Sequence, residues 1–168
     1  RLDWSTPDGT DAVIVELGAN DMLRGIDPAV TEKAIDQIVE RLTKRGVPVL
    51  LAGMQAAPNL GADYAERFNG LYKRIAEKHG AMLYPFFLDG VAGQRALNQP
   101  DGMHPTADGV KVIVERMLPT ARSFIDGLKR KAQDSVSAAK TPEEVAAVLD
   151  GMKAQAEADF AQLMQSAK

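Results

Sequence analysis

Three short apolar runs, separated by amphipathic stretches, constrain the fold of this chain more than any other feature. Residues 12–17 read AVIVEL, residues 47–52 read VPVLLA, and residues 81–85 read AMLYP. The first fits a strand buried on both faces, the second another buried strand, and the third a short strand. Between the first two, Asp27 offers an N-cap and Pro28 a first helical position. Val30, Ala34, Ile35, Ile38, Val39 and Leu42 then recur at helical spacing, and Gly46 marks the end. Between the second and third, Tyr64, Phe68, Leu71, Tyr72 and Ile75 line one face of a helix over about 62–79, capped by Gly80. Strand, helix, strand, helix, strand in this order implies right-handed crossovers and an α/β fold with a parallel sheet.

The first stretch, RLDWSTPDGTD, reads as polar and turn-rich. After the third strand, an irregular segment leads to the loop QPDGMHPTADGV at 99–110. Thr106 can cap a last helix through Met117, which Pro119 would kink or break. From Lys129 onward the chain is rich in Ala, Lys, Glu and Gln and has no strand signal. Thr141-Pro142-Glu143-Glu144 forms a capping box. Val145, Leu149, Met152, Ala156, Phe160, Leu163 and Met164 follow as an apolar stripe. The expected organisation is a partial α/β domain over 1–128 and a helical appendage over 129–168, shaped as a hairpin.

Composition excludes several classes. The net charge is −3, so no basic field argues for nucleic acid. With no cysteine, a disulfide framework, a thiolate metal site and a cysteine nucleophile are all ruled out. No apolar run is long enough to span a membrane. The two histidines, His79 and His104, lie 25 residues apart and do not supply three metal ligands with their neighbours. No metal and no cofactor is expected.

In parallel α/β sheets, functional groups collect beyond the carboxyl ends of the strands. Two groups of residues fall there or can reach that edge. Gly18-Ala19-Asn20-Asp21 follows the first strand, where an asparagine amide can donate to an oxyanion. The same residues also suit a simple turn. Asp101 precedes His104 by three residues. A carboxylate at that spacing can accept from one ring nitrogen and leave the other free to take a proton. The plainer reading is a loop aspartate and a histidine beside a helix cap.

The combination is more specific than either part. VIVELGANDMLRG followed by DGMHP in the terminal third resembles the SGNH/GDSL hydrolase family, in its bacterial esterase, thioesterase and lysophospholipase branch. The resemblance runs from about Arg1 to Leu128 and includes MQAAPNLGADY and YPFFLDGV. It implies a flavodoxin-like, three-layer α/β/α fold truncated at its N-terminal side to about three strands. It implies that His104 is the general base, Asp101 its orienting acid, and Asn20 the oxyanion-hole donor, with Gly18 and Asp21 in support. It also implies that Met54, Gln55, Pro58 and Asn59 belong to a substrate-side loop. The implied substrate is a small acyl ester or thioester.

The same resemblance exposes a gap. The family carries its nucleophilic serine in a Gly-Asp-Ser block after the first strand and a glycine oxyanion donor after the second; neither block is in this sequence. At roughly 30 residues per strand–helix–strand unit, about two units are expected to be missing. Arg1 in place of an initiating Met points to a processed chain or a piece of a longer one. The five serines, Ser5, Ser123, Ser135, Ser137 and Ser166, all lack a glycine-flanked strand end of the kind that exposes a nucleophile. The expectation is a hydrolase portion with little activity alone, completed by an N-terminal fragment or self-associated through a sheet edge. The alternative is a non-catalytic interaction or scaffold protein using the remnant sheet and helical tail. Family analogy suggests a periplasmic or secreted location if a signal peptide precedes this chain, and a cytoplasmic one otherwise.

Overall fold

A computed structural model describes residues 2–139, 141–144, 146–151 and 153–154. The chain divides into two compact units: 12–122, and the terminal stretches 1–11 and 123–168. The first unit holds the sheet, whose order is β1 (Val13–Glu16), β2 (Val49–Ala52), β3 (Met82–Tyr84). Both pairings are parallel, with Val13 opposite Val49 and Leu50 opposite Met82. The fold class is therefore α/β with a three-stranded parallel sheet, as the alternating runs imply.

The helices of this unit follow from local chemistry. After β1 comes a short helix, α2 (Ala19–Leu23), entered through Gly18 at φ 106°. The next, α3 (Pro28–Lys44), starts where the Asp27 carboxylate accepts from Ala29 N at 2.8 Å. That N–H, together with the Arg67 guanidinium, holds the Asp27 carboxyl below its usual range. Thr31, which the apolar pattern passed over, is fully buried on α3, whereas Val30 is 60% exposed.

The stretch 62–79 is two helices, α4 (Ala62–Asn69) and α5 (Leu71–His79), where one was expected. The cause is local. The Arg74 guanidinium donates to the Arg67 carbonyl at 3.3 Å and lies against Gly70, where a Cβ would stand 2.6 Å from it. The aromatic stripe carries on past the break: Tyr64 stacks on Phe68, and Phe68 meets Tyr72 edge-on with centroids 5.9 Å apart. Cross-helix ion pairs, Arg74 with Glu32 and Lys78 with Asp36, tie α5 to α3.

The core lies around β2, which is buried along its whole length, with Val39, Leu42, Phe68, Leu71, Tyr72 and Ile75 packed among the buried residues. Removing one such Leu side chain ordinarily costs about 2–5 kcal/mol. By contrast, among the described residues β1 is an edge strand paired only with β2. Ile14 is 54% exposed there, so the expectation of burial on both faces fails for β1. The AVIVEL run supplies apolar side chains for both faces and hydrogen-bonding groups for two edges, of which one edge is used.

The last helix, α6 (Ala107–Ala138), continues past Pro119. Proline there removes one intrahelical bond, to the carbonyl of Glu115, and both residues are exposed. Thr106 does cap the helix, its hydroxyl accepting from Gly109 N at 3.2 Å.

In the second unit, RLDWSTPDGTD contains a short helix, α1 (Leu2–Ser5), closed by the Thr6 hydroxyl and N–H on the Leu2 carbonyl. Farther on, Thr141 and Glu144 exchange side-chain and backbone bonds at 3.1 Å, as a capping box requires. Of the expected tail stripe, Leu149 is half exposed, and Val145, Met152, Ala156, Phe160, Leu163 and Met164 lie outside the described residues.

Candidate active site

The Asp101–His104 pair sits on a braced hairpin between β3 and α6. Asn98 and Pro105 form an antiparallel bridge, and Gln99 N donates to the His104 carbonyl at 2.7 Å. The Asn98 amide is anchored below, donating to the carbonyls of Val91 and Gln94. Gly102, at φ 72°, lets the chain reverse. Within this turn Asp101 Oδ2 lies 2.7 Å from His104 Nδ1, and Asp101 Oδ1 accepts from the N–H groups of Met103 and His104. The imidazole hydrogen bond, then these two N–H groups, hold the Asp101 carboxyl down at about 2. The carboxylate is thus ionised at neutral pH, and it fixes Nδ1 as the nitrogen that carries a proton. The imidazole is 71% exposed, which leaves Nε2 open to solvent.

The Gly18–Asp21 block lies past the carboxyl end of β1, and in a parallel sheet that edge is shared with the ends of β2 and β3. Gly18 is there for two reasons. Its φ is positive, and a Cβ on it would fall on the Tyr72 hydroxyl. That hydroxyl donates to the Leu17 carbonyl at 2.8 Å and pins the strand end. Asp21 accepts from the buried Thr31 hydroxyl at 3.2 Å, so it holds the turn to α3. Asn20 is exposed, and its amide has no hydrogen-bond partner among the described residues. Together these residues line a hollow of about 300 Å³ shared with Glu16, Ala34 and Ile38.

The loop after β2 joins this edge. Ala57 N approaches Met22 Sδ at 3.4 Å, and Tyr64 Oη donates to the Ile26 carbonyl. Met54 is buried, whereas Gln55, Pro58 and Asn59 are exposed around a 3-10 turn at Pro58–Leu60. Phe87 N donates to the Gly53 carbonyl, which brings the segment after β3 to the same edge. The structure thus links the Met54–Asn59 loop to the Gly18–Asp21 block through Met22 of α2. The Asp101–His104 hairpin is held by its own hydrogen bonds and has none to Asn20 among the described residues.

Two groups at this edge escaped the sequence reading. Tyr72 reads as one more apolar stripe residue, yet its hydroxyl sets the β1 end, and a buried tyrosine always raises the question of where its hydroxyl goes. Glu16, the last residue of β1 and the one charged residue of AVIVEL, has a half-buried carboxyl that burial pushes up. No cluster of three or more His, Asp or Glu residues able to hold a metal occurs among the described residues.

The chain combines a three-stranded parallel α/β sheet with an aspartate-held histidine after the last of these strands and an exposed asparagine after the first. Residues 1–112 match the model of the GDSL-like lipase/acylhydrolase family, and the chain belongs to that family. It is 36% identical to the esterase TesA of Pseudomonas aeruginosa over 113 residues, 67% of this chain and 56% of that protein. It is 34% identical to an arylesterase of Vibrio mimicus over 114 residues, covering 56% of it. It is 35% identical to the thioesterase 1/protease 1/lysophospholipase L1 of Escherichia coli over 114 residues, covering 55% of it. The chain therefore spans about half the length of the curated relatives it matches. Among solved structures, TesA superposes with a TM-score of 0.70 at 34% identity, covering 74% of this chain and 69% of that one. AlinE4, an SGNH-hydrolase family esterase, gives 0.58 at 44% identity, covering 73% and 67%.

Proposed function

We propose that this chain is the acid–base and oxyanion portion of a serine ester or thioester hydrolase, and that the nucleophile comes from outside these 168 residues. The observation that carries the reading is the 2.7 Å contact between Asp101 Oδ2 and His104 Nδ1, with Nε2 open. In the completed enzyme Nε2 takes the proton of a serine hydroxyl as that oxygen attacks the acyl carbonyl. The Asn20 amide, with backbone N–H groups, stabilises the oxyanion of the tetrahedral intermediate. His104 then gives its proton to the leaving oxygen or sulfur, and water releases the acyl group by the reverse sequence. Gly18 and Asp21 set the approach of Asn20, and the Met54–Asn59 loop borders the acyl group.

The serines of this chain support an outside nucleophile. Ser5 lies in α1, and Ser123, Ser135 and Ser137 lie in α6, with Ser135 donating back to the Lys131 carbonyl. Ser166 is outside the described residues. None of the four described serines sits at a strand-to-helix turn.

A second reading is favoured by the β1 edge, where Ile14 and Leu17 are 54% and 47% exposed. An apolar edge of unpaired N–H and C=O groups is a template for another strand. That strand is a complementary N-terminal segment in the hydrolase reading, and a second copy or another protein in a non-catalytic one.

A fluorophosphonate probe, which reacts with activated serines, tests the absence of a nucleophile. Intact-mass measurement of the 168-residue chain should show no adduct, and an adduct would refute the proposal. The coding sequence upstream of Arg1 tests it from the other side, since an in-frame Gly-Asp-Ser block is expected there.

A further inference from the structure

We propose that the open hollow beside the Asp101–His104 hairpin is a subsite for a phosphate or carboxylate on the leaving group, with Arg95 as its anion-binding residue. This assignment to the leaving group rests on the hydrolase reading above. The hollow encloses about 580 Å³ and is lined by Gly93, Arg95, Asn98, Gln99, Pro100 and Gly102. Gln99 and Gly102 belong to the same hairpin that holds His104, and Gln99 N bonds the His104 carbonyl. The hairpin that carries His104 thus forms one wall of this hollow, and the departing group is placed against that wall.

The charges of the surrounding segment single out one cation. Asp89 pairs with Arg116, Asp101 with His104, and Asp108 with Lys111. Arg95 is exposed and forms no ion pair or hydrogen bond among the described residues. The other polar side chains of the hollow are engaged: the Asn98 amide donates to Val91 and Gln94, and the Gln99 amide donates to Pro105. Asp101, the nearest carboxylate in sequence, has both oxygens committed within its own turn. What remains on this wall is a planar guanidinium with five donors, a shape that pairs two-to-two with carboxylate or phosphate oxygens. Across the whole chain the net charge is −3, so an anion is not drawn here by a general field.

The test is a titration of the full 15N-labelled chain with phenyl phosphate, followed through the backbone amides of Gly93, Asn98 and Gly102. Saturable shifts at these three are expected. R95Q should weaken the binding about tenfold or more, the ordinary cost of losing a charge-assisted contact. K111Q, which removes a nearby cation outside the hollow, should leave it within about twofold. Equal affinity in R95Q, or shifts spread over the surface, would overturn the subsite. Inorganic phosphate binding as tightly as phenyl phosphate would overturn the leaving-group assignment. H104A should retain the binding. Binding that survives while a serine-completed enzyme shows no hydrolysis would sink the hydrolase reading and leave the anion site standing.

Discussion

Asp101 and His104 are joined twice, once by the 2.7 Å contact from Oδ2 to Nδ1 and once by the His104 backbone N–H on Oδ1 at 3.0 Å. The second bond, with the Met103 N–H, forms a turn that brings the imidazole back over the carboxylate three residues away. The side-chain pair is therefore preformed and needs no partner chain to assemble it.

This geometry has a pH signature. The Asp101 carboxyl titrates at about 2, below the ordinary value near 3.9. A depressed carboxyl contributes its stabilisation above the unfolded value and loses it as pH falls through the folded one. The hairpin should accordingly stay ordered from neutrality to about pH 4 and loosen toward pH 2. Carboxyl-carbon NMR of Asp101 reads this directly. In H104A the midpoint should rise toward the ordinary value yet remain below it, because the Met103 and residue-104 N–H groups persist. An unchanged midpoint in H104A would mean that the imidazole is not the main cause.

Gly18 and Tyr72 should behave as a coupled pair. G18A puts a methyl on the Tyr72 hydroxyl and forces a left-handed φ on a residue with a Cβ, which should cost about 2–3 kcal/mol. Y72F loses the bond to the Leu17 carbonyl at about 0.5–1.5 kcal/mol. The double variant should be less damaged than the sum by at least about 0.5 kcal/mol, since removing the hydroxyl makes room for the methyl. Urea unfolding of the four proteins measures the cycle, and strict additivity would refute the contact.

Asp36 clamps α3 to α5 by accepting from Lys78 at 2.8 Å and from His79 Nε2 at 2.7 Å. The Lys78 ammonium, more than His79, holds this carboxyl below its usual value. D36A leaves a nearly buried His79 nitrogen without its partner and should cost about 1–3 kcal/mol at pH 7. The sign is that of a depressed acid: the cost should be full above about pH 4 and shrink below it. Thermal melts of both proteins at pH 7 and pH 3 check this, and a cost independent of pH would count against the ion-pair account.

Pro119 offers a gain. P119A restores the N–H that α6 lacks at this position and removes the proline ring from a helix interior. Stability should rise by about 1–3 kcal/mol, visible as a higher melting temperature. A loss would show that the proline ring is used in packing.

Much of this architecture is legible in residues taken in order. The three strands, the Asp27 cap, the Gly80 stop and the Asp101–His104 turn each depend on neighbours within a few positions, and each stands where its local pattern put it. What escaped the pattern depends on side-chain contacts that hydrophobic spacing does not report. The break at Gly70 comes from an arginine reaching back along the chain, and the burial of Thr31 depends on Asp21 ten residues earlier. The exposure of Ile14 depends on which strands are present, which no local run can report. The role of Tyr72 needed its distance to Leu17, 55 residues away in sequence. At the candidate site, the resemblance marked Asn20 and His104, whereas the residue types alone favoured a simple turn and a helix cap.

The account stands or falls on whether the Asp101–His104 pair can serve a serine it does not itself contain. The direct measurement is p-nitrophenyl acetate hydrolysis by this chain joined at its N-terminus to the serine-bearing segment of a matched relative, such as the Pseudomonas aeruginosa esterase. The chain alone should hydrolyse at the background rate. The joined protein should turn over, H104A should lower its kcat by about 10³-fold or more, and N20A by about 10²–10³-fold. Hydrolysis by the 168-residue chain alone, or a folded joined protein indifferent to H104A, would contradict the account.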